Sequence, residues 1–347
     1  MSEPLISVVT PFYNAMRFLE TPMNSVLNQT YQNWEYICVD DCSTDGTLEK
    51  LREYAAKDPR IKVFAREKNS GSAAGGFNVG IDVAKGDYYQ ILGHDDELSP
   101  DLLENIAKRI NETGADAIIP DARIIAKEVA EDAEDFDFIA IRPSKKGKKD
   151  KYKANDRSVV LSGWEAFALS IDFRIHGWAC FSMDLVRKSG KLCEDVMNPD
   201  ELWTRKMFLN ARKVAFCEGA YCYLRRKDSV CTKVNAKSFD VFKSLERLKD
   251  ILIENGLTGT EMKIWKRFLL SEIKTIAYRY IFCKHLLTPE DDVKTREILR
   301  QGREMAFREC WYDIRLYATA LKIKTTARRY KKYLALKKKL QKKGMLS

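Results

Sequence analysis

The first 120 residues alternate between short β-type apolar runs and helical stretches, and most of the runs stop at a polar or acidic cluster. Residues 5–9 stop at Thr10-Pro11-Phe12-Tyr13-Asn14, and residues 35–39 stop at Asp40-Asp41-Cys42-Ser43. Residues 61–65 lead into Asn69-Ser70-Gly71, and residues 88–92 stop at Gly93-His94-Asp95-Asp96. Between them lie helical patterns over about 18–27, 48–56 and 100–113 and one through Val79, Ile81 and Val83, and a further strand pattern follows at 117–120. Strands that alternate with helices predict a parallel α/β sheet. Ligands of such sheets collect outside the carboxyl ends of the strands. Asn14, Asp40, Asp41, Asp95 and Asp96 all fall at such ends.

The pair Asp95-Asp96 carries the sharpest chemical signal. Adjacent carboxylates repel and resist burial unless a cation or water offsets them. Hard oxygen ligands suit Mg²⁺ or Mn²⁺. Asp, Ser and Pro after a strand also make an ordinary solvated turn, so the stretch alone leaves both readings open.

Past residue 120 the pattern changes. Residues 142–157 read as a basic surface loop. A helix over 163–171 precedes a strand pattern at 176–181 that contains His176 and Trp178. Asn198-Pro199-Asp200-Glu201 opens a helix running to about 210, where acids in the first turn also complement the helix dipole. Two strands are predicted next, 213–217 and 220–224, the second ending at Arg225-Arg226. From about 236 onward, charged helical patterns predict three to five packed helices.

Composition limits the classes. The net charge is +10 over 347 residues, and the segment 322–343 carries eleven Lys or Arg and no acid. With Tyr330, Tyr333 and several leucines, 318–343 reads as an amphipathic helix for an anionic membrane surface, or as a solvated or oligomer-contact helix. A homo-oligomer is compatible with either reading. Nine cysteines without a CxxC pair argue for reduced thiols rather than zinc or a disulfide framework. No apolar run is long enough to span a bilayer, and residues 1–9 lack a secretory pattern, so a cytoplasmic location is expected. No helix-turn-helix, zinc or RNA-recognition signature accompanies the basic tail, so no nucleic-acid partner is expected. A response-regulator receiver would place its acid pair after the first strand, whereas Asp40-Asp41 follows the second.

Taken in order, the pieces resemble the family-2 glycosyltransferases, inverting enzymes with the GT-A fold. The matching stretches are Ser7-Val8-Val9-Thr10-Pro11-Phe12-Tyr13-Asn14, Ser25-Val26-Leu27-Asn28-Gln29-Thr30-Tyr31, Val39-Asp40-Asp41-Cys42-Ser43-Thr44-Asp45-Gly46-Thr47, Asn69-Ser70-Gly71, Asn78-Val79-Gly80 and Ala84-Lys85-Gly86-Asp87-Tyr88, with the acid pair completing the set. The resemblance covers about residues 4–232. It implies a GT-A domain over 1–235, with a Rossmann-like nucleotide-sugar half at 1–125 and an acceptor half at 160–235. Residues 236–347 would form a helical C-terminal region.

By this resemblance Thr10, Pro11, Tyr13 and Asp41 would line the nucleoside pocket, with Asp40 supporting that loop. Asp41 would accept the imide N–H of uracil, which a fixed carboxylate does well. Asn69 and Asn78 would join the donor site, and Arg225 and Arg226 would supply charge to the diphosphate. Asp96 is the first choice as ligand of Mn²⁺ or Mg²⁺, and Asp95 is assigned to sugar or metal. Asp200 is the implied base, with Glu201 and Asp195 in reserve. His176 and Trp178 are candidate acceptor contacts. Two residues depart from the family pattern: Gly93 stands where a first acid is usual, and Phe77 where an arginine is usual. The implied reaction moves a sugar from a nucleoside diphosphate, UDP first, to an acceptor hydroxyl with inversion. Its acceptor would be a glycan or lipid-linked precursor of the cell surface, met at the inner face of the membrane. A catalytically inactive nucleotide-sugar binder is the alternative.

Overall fold

The computed structural model describes residues 3–126, 136–138, 156–196, 198–225 and 234–310. Its contacts separate into two compact units, Met1–Ser229 and Val230–Ser347. The basic segment 322–343 and most of the 142–157 loop lie outside the described residues.

The first unit is built on a ten-stranded sheet. Its opening half is a run of βα units: β1 (Ile6–Phe12), α1 (Glu20–Leu27), β2 (Trp34–Asp40), α2 (Thr47–Lys57), β3 (Ile61–Ala65), α3 (Ala73–Val83) and β4 (Tyr88–Ile91). After the short β5 (Glu97–Leu98) come α4 (Leu102–Thr113), β6 (Ala117–Ala126), β7 (Phe136–Phe138), β8 (Val160–Ser162), α5 (Gly163–Ile171), β9 (Cys180–Ser182), α6 (Met183–Ser189), α7 (Pro199–Asn210) and β10 (Lys213–Arg225). The sheet runs β3-β2-β1-β4-β9-β6-β10-β5. Strands β3, β2, β1 and β4 are mutually parallel, and β6 is parallel to β10. The antiparallel β9 is wedged between β4 and β6, which makes the sheet mostly rather than wholly parallel.

Strand β1 is buried along its whole length, which is why it reads as a continuous apolar run without alternation. Its two faces meet different partners. Ile6, Val8 and Phe12 join one core with Met23 and Val26 of α1 and Leu103 and Ile106 of α4. On the other face, Gly76 and Gly80 let α3 lie against Pro11 and Val9. A Cβ at Gly76 would stand 2.4 Å from Pro11 Cβ, and one at Gly80 would stand 2.3 Å from Val9 Cγ1.

The two strands expected at 213–217 and 220–224 are one strand, β10. Its register with β6 shifts between Phe216 and Ala220, and Gly219 sits there at φ +83°. The polar Glu218-Gly219 pair marks a bulge rather than a turn, because pairing on both sides keeps the chain extended. Helix α5 begins where expected, with a capping box in which Ser162 and Glu165 each satisfy the other's backbone.

The second unit packs α8 (Phe242–Glu254), α9 (Thr260–Cys283) and α10 (Pro289–Cys310) around Leu245, Leu248, Trp265, Leu269 and Met305. Trp265 Nε1 donates to the Leu245 carbonyl at 3.0 Å. Among the described residues, no helix is long and apolar enough to cross a membrane.

Candidate functional site

The loops after β1 and β2 are knitted together by their side chains. The Asn14 N–H donates to Ser43 Oγ at 3.0 Å, and the Thr44 N–H returns a bond to Asn14 Oδ1 at 2.8 Å. The Ala15 N–H donates to Thr47 Oγ1 at 2.9 Å and the Met16 N–H to Asp45 Oδ2 at 3.0 Å. Burial pulls the Asp45 carboxyl upward, but hydrogen bonds from Thr47 and from backbone N–H groups outweigh it and leave the group below its ordinary range. Asn14 and Cys42 take left-handed conformations, with φ 46° and 64°. Such conformations in non-glycine residues persist only where surrounding bonds enforce them. Behind this rim Thr10 is fully buried, and its Oγ1 accepts from the Tyr36 hydroxyl at 3.0 Å. Pro11 is buried against α3, while Tyr13 is 51% exposed.

The acid pair after β2 is buried and unequally used. Asp40 Oδ2 accepts from the Ser43 N–H at 3.1 Å, whereas Asp40 Oδ1 has no hydrogen-bond partner. Asp41 is held from several directions. Its carboxylate accepts the Ser70 N–H at 3.0 Å and the Ser70 hydroxyl at 2.8 Å, and it pairs with Arg66 Nε at 2.9 Å. Asn69 donates through Nδ2 to the Asp41 carbonyl and accepts the Gly71 N–H, so it shapes the turn that carries Ser70. Arg66 and Ser70 were not singled out from the sequence. The Asn69-Ser70-Gly71 stretch was the only signal for them.

At the end of β4, Asp96 is buried while Gly93, His94 and Asp95 are partly exposed. Asp96 Oδ2 accepts the Tyr221 hydroxyl at 2.6 Å, and Asp96 Oδ1 accepts the Leu224 N–H at 2.8 Å. The Gly93 N–H donates to the same Tyr221 oxygen at 3.0 Å. Tyr221 stacks on Trp178 with centroids 5.2 Å apart and planes 4° apart, and Tyr223 stacks on the same indole at 5.3 Å. His176 Nε2 lies 2.9 Å from the Pro120 carbonyl oxygen and its ring packs beside Trp178. Trp178 is thus part of an aromatic stack that joins the acid pair to β10.

The stack also leads to α7, because the Thr204 hydroxyl donates to the Gly177 carbonyl at 3.3 Å. Asp200 lies one turn before Thr204, so the two share a helix face. Burial pushes the Asp200 carboxyl above its ordinary range, more than the N–H groups of the helix start and nearby Arg205 bring it down. Glu201 is committed elsewhere: it accepts from Asn198 Nδ2 at 3.2 Å and pairs with Arg205 at 3.4 Å. Asp195 is exposed and accepts from the Cys193 thiol. Asn78 donates to the Leu192 carbonyl and to Glu194 and accepts the Leu192 N–H, which leaves its amide no further donor. Arg225 ends β10, and Arg226 lies outside the described residues.

The acid pair can take a divalent cation. Asp95 and Asp96 set two hard carboxylates side by side after β4. Among the described residues, no group of three or more His, Cys, Asp or Glu is gathered for a metal. Two carboxylates completed by phosphate oxygens is the arrangement Mg²⁺-type ions favour on diphosphate substrates.

A mostly parallel sheet, with acid pairs at the ends of β2 and β4 and an antiparallel strand before β6, defines a GT-A type α/β domain. Residues 7–169 of the chain match the model of the family described as Glycosyl transferase family 2. TuaG of Bacillus subtilis (strain 168), named as a candidate teichuronic acid biosynthesis glycosyltransferase, is 46% identical over 102 residues, which are 29% of this chain and 40% of TuaG. Glycosyltransferase GlyG of Streptococcus pneumoniae serotype 4 is 43% identical over 119 residues, 34% of this chain and 39% of GlyG. The chain therefore spans about two fifths of the length of these relatives. The fold is similar to that of Staphylococcus aureus TarS residues 1–349, solved with UDP. That match has a TM-score of 0.53 and 17% identity, over 92% of this chain and 91% of that one.

Proposed function

We propose that this chain transfers a sugar from a nucleoside diphosphate sugar, UDP-linked by preference, to an acceptor hydroxyl. The observation that carries the reading is the clamped Asp41 at the end of β2, inside a family-2 domain. A carboxylate fixed by Ser70 and Arg66 is a pre-set acceptor for the imide N–H of uracil. The UDP preference also draws on TarS, which was solved with UDP and with UDP-GlcNAc.

The rest of the site divides the work. Tyr13, at the exposed rim of β1, covers the nucleoside, and Asp95-Asp96 mark the diphosphate end. A divalent cation held there would offset the charge that develops on the departing diphosphate. Asp200 takes the proton of the acceptor hydroxyl, and burial makes its carboxylate a stronger base than a solvated one. Asp200 is preferred over Glu201 because Glu201 is already paired with Arg205 and Asn198. Direct attack by the acceptor on the anomeric carbon gives inversion. The chemistry named for TuaG supports an acceptor in cell-surface polysaccharide synthesis. The 318–343 segment, read from its sequence, would bring the enzyme to an anionic membrane face.

A thermal-shift screen of UDP-, GDP- and dTDP-sugars with Mn²⁺ tests the donor. Stabilisation by a uridine ligand is expected. No response to any nucleotide would overturn the reading, and binding without turnover would favour the inactive binder.

A further inference from the structure

We infer that Asn78 of α3 is a positioning residue for Asp200: its amide pairs with the backbone of Leu192 and ties the segment before α7 to the donor half of the domain. This rests on the reading of Asp200 as the base and deepens it by giving Asn78 a task outside the donor pocket.

Asparagine is a poor residue for a helix interior, because its amide competes with the backbone for hydrogen bonds. Asn78 nevertheless sits in the middle of α3 and is only 8% exposed. Its amide serves another part of the chain. Nδ2 donates to the Leu192 carbonyl at 3.0 Å and Oδ1 accepts the Leu192 N–H at 2.8 Å, so both backbone groups of this buried residue are satisfied by one side chain. The other Nδ2 proton goes to Glu194 at 3.0 Å. One turn further along α3, Asp82 pairs with Lys191 at 2.7 Å, so a single face of α3 holds residues 191–194.

The same segment is held from α7. Trp203 Nε1 donates to the Gly190 carbonyl at 2.8 Å. The buried Trp203 ring meets Tyr89 edge-on, with centroids 6.1 Å apart. The Tyr89 hydroxyl in turn donates at 2.8 Å to the carbonyl of Phe77, the neighbour of Asn78. Helix α3, the 190–194 segment and α7 thus form a closed circuit of contacts, and Asp200 lies about one turn before Trp203. The entry to α7 is strained, because Asn198 takes a left-handed conformation with φ 52°. Such a conformation persists only where its surroundings enforce it. The bonds from Asn78 fix the chain just upstream of that residue.

Three measurements on the full chain test this. UDP affinity is read by calorimetry. Turnover is read as UDP release from UDP-glucose, UDP-galactose and UDP-N-acetylglucosamine with Mn²⁺. Amide hydrogen exchange is followed over residues 190–204. Asn78→Ala should lower kcat about ten- to a hundredfold, the scale of a misplaced reacting group, with UDP affinity and donor KM within about twofold. Exchange over 190–204 should quicken about five- to a hundredfold and stay unchanged over 66–72, which carries the clamp on Asp41. Trp203→Phe keeps a ring but loses the N–H, and should move kcat and exchange in the same direction. Asp82→Asn breaks only an exposed ion pair on the same segment and should leave kcat within about twofold. Asn78→Asp sets a carboxylate against Glu194, and adding Glu194→Gln returns a donor to it. The double variant should recover about three- to tenfold of the kcat lost in Asn78→Asp, the factor of one hydrogen bond.

UDP affinity falling in step with turnover in Asn78→Ala would overturn the inference and return Asn78 to the donor pocket. Unchanged exchange over 190–204 would overturn it whatever the turnover. If the wild type binds UDP but releases none from these sugars, the reading of Asp200 as base fails and the inference with it. Exchange then separates that failure from a missing tie between α3 and α7.

Discussion

Removing the Asp41 carboxylate should cost both donor affinity and local order, and the structure separates the two costs. In Asp41→Asn the side chain keeps its volume but loses its charge. A hydrogen bond to a charged group contributes about 1.5–3 kcal/mol and a neutral one about 0.5–1.5 kcal/mol. The difference of about 1–1.5 kcal/mol corresponds to UDP binding about five- to twelvefold weaker. Asp41→Ala removes the bond altogether and should weaken UDP about ten- to 150-fold. The alanine also strands the Ser70 N–H, which now bonds to Asp41, while the Ser70 hydroxyl keeps the Ser72 carbonyl as acceptor. Leaving such groups unpaired costs about 1–3 kcal/mol. The Arg66 side chain is 25% exposed and that of Asp41 6%, so solvent only partly compensates the guanidinium that the alanine leaves unpaired, and this adds to the loss. For a unit of this size a loss of 1–3 kcal/mol lowers Tm by about 2–12 °C. Calorimetry with UDP and CDP reads the first cost. Cytosine offers an acceptor where uracil offers an N–H, so the wild-type preference for UDP should shrink in both variants. UDP affinity within twofold of wild type in Asp41→Ala would refute the role of Asp41.

Other consequences are equally direct. Asp200 binds its proton more tightly folded than unfolded, so between those two pKa values stability falls as pH rises. Asp200→Asn should therefore raise Tm at neutral pH while removing transfer. In the wild type the acid limb of kcat/KM should lie above the ordinary carboxylate range, and an unchanged limb in the variant would dismiss Asp200 as the base. Gly76→Ala drives a Cβ to 2.4 Å from Pro11 Cβ and should cost about 1–3 kcal/mol by overpacking, read from a urea midpoint, together with weaker UDP binding. Deleting 318–347 should abolish cosedimentation with anionic liposomes, and binding that survives the deletion would remove the membrane assignment.

The strand ends were legible because each is a local event: an apolar run, a breaker, an acid. That sufficed to place Asp40, Asp41, Asp95 and Asp96 at the carboxyl ends of β2 and β4. The parts that failed to show depend on pairing over distance. Strand β9 is three residues long and exists because β4 and β6 flank it. Glu218-Gly219 looked like a turn because composition alone does not distinguish a turn from a bulge held on both sides. Tyr221 meets Asp96 across 125 residues of chain, and no spacing rule reaches that far. Asn78 shows the converse. Its stretch resembled a donor-site motif, yet its amide is bound to Leu192 and Glu194. The acids of the α7 first turn read alike in the sequence, and only the Arg205 and Asn198 contacts of Glu201 set them apart.

The most direct measurement is nucleoside diphosphate release from UDP-sugars by the full chain with Mn²⁺ or Mg²⁺, with and without acceptor glycans, beside Asp95→Asn and Asp200→Asn. Release from at least one UDP-sugar is expected, dependent on the metal and lost in both variants. Intact UDP binding with no release or transfer from any UDP-, GDP- or dTDP-sugar would contradict the assignment of a transferase.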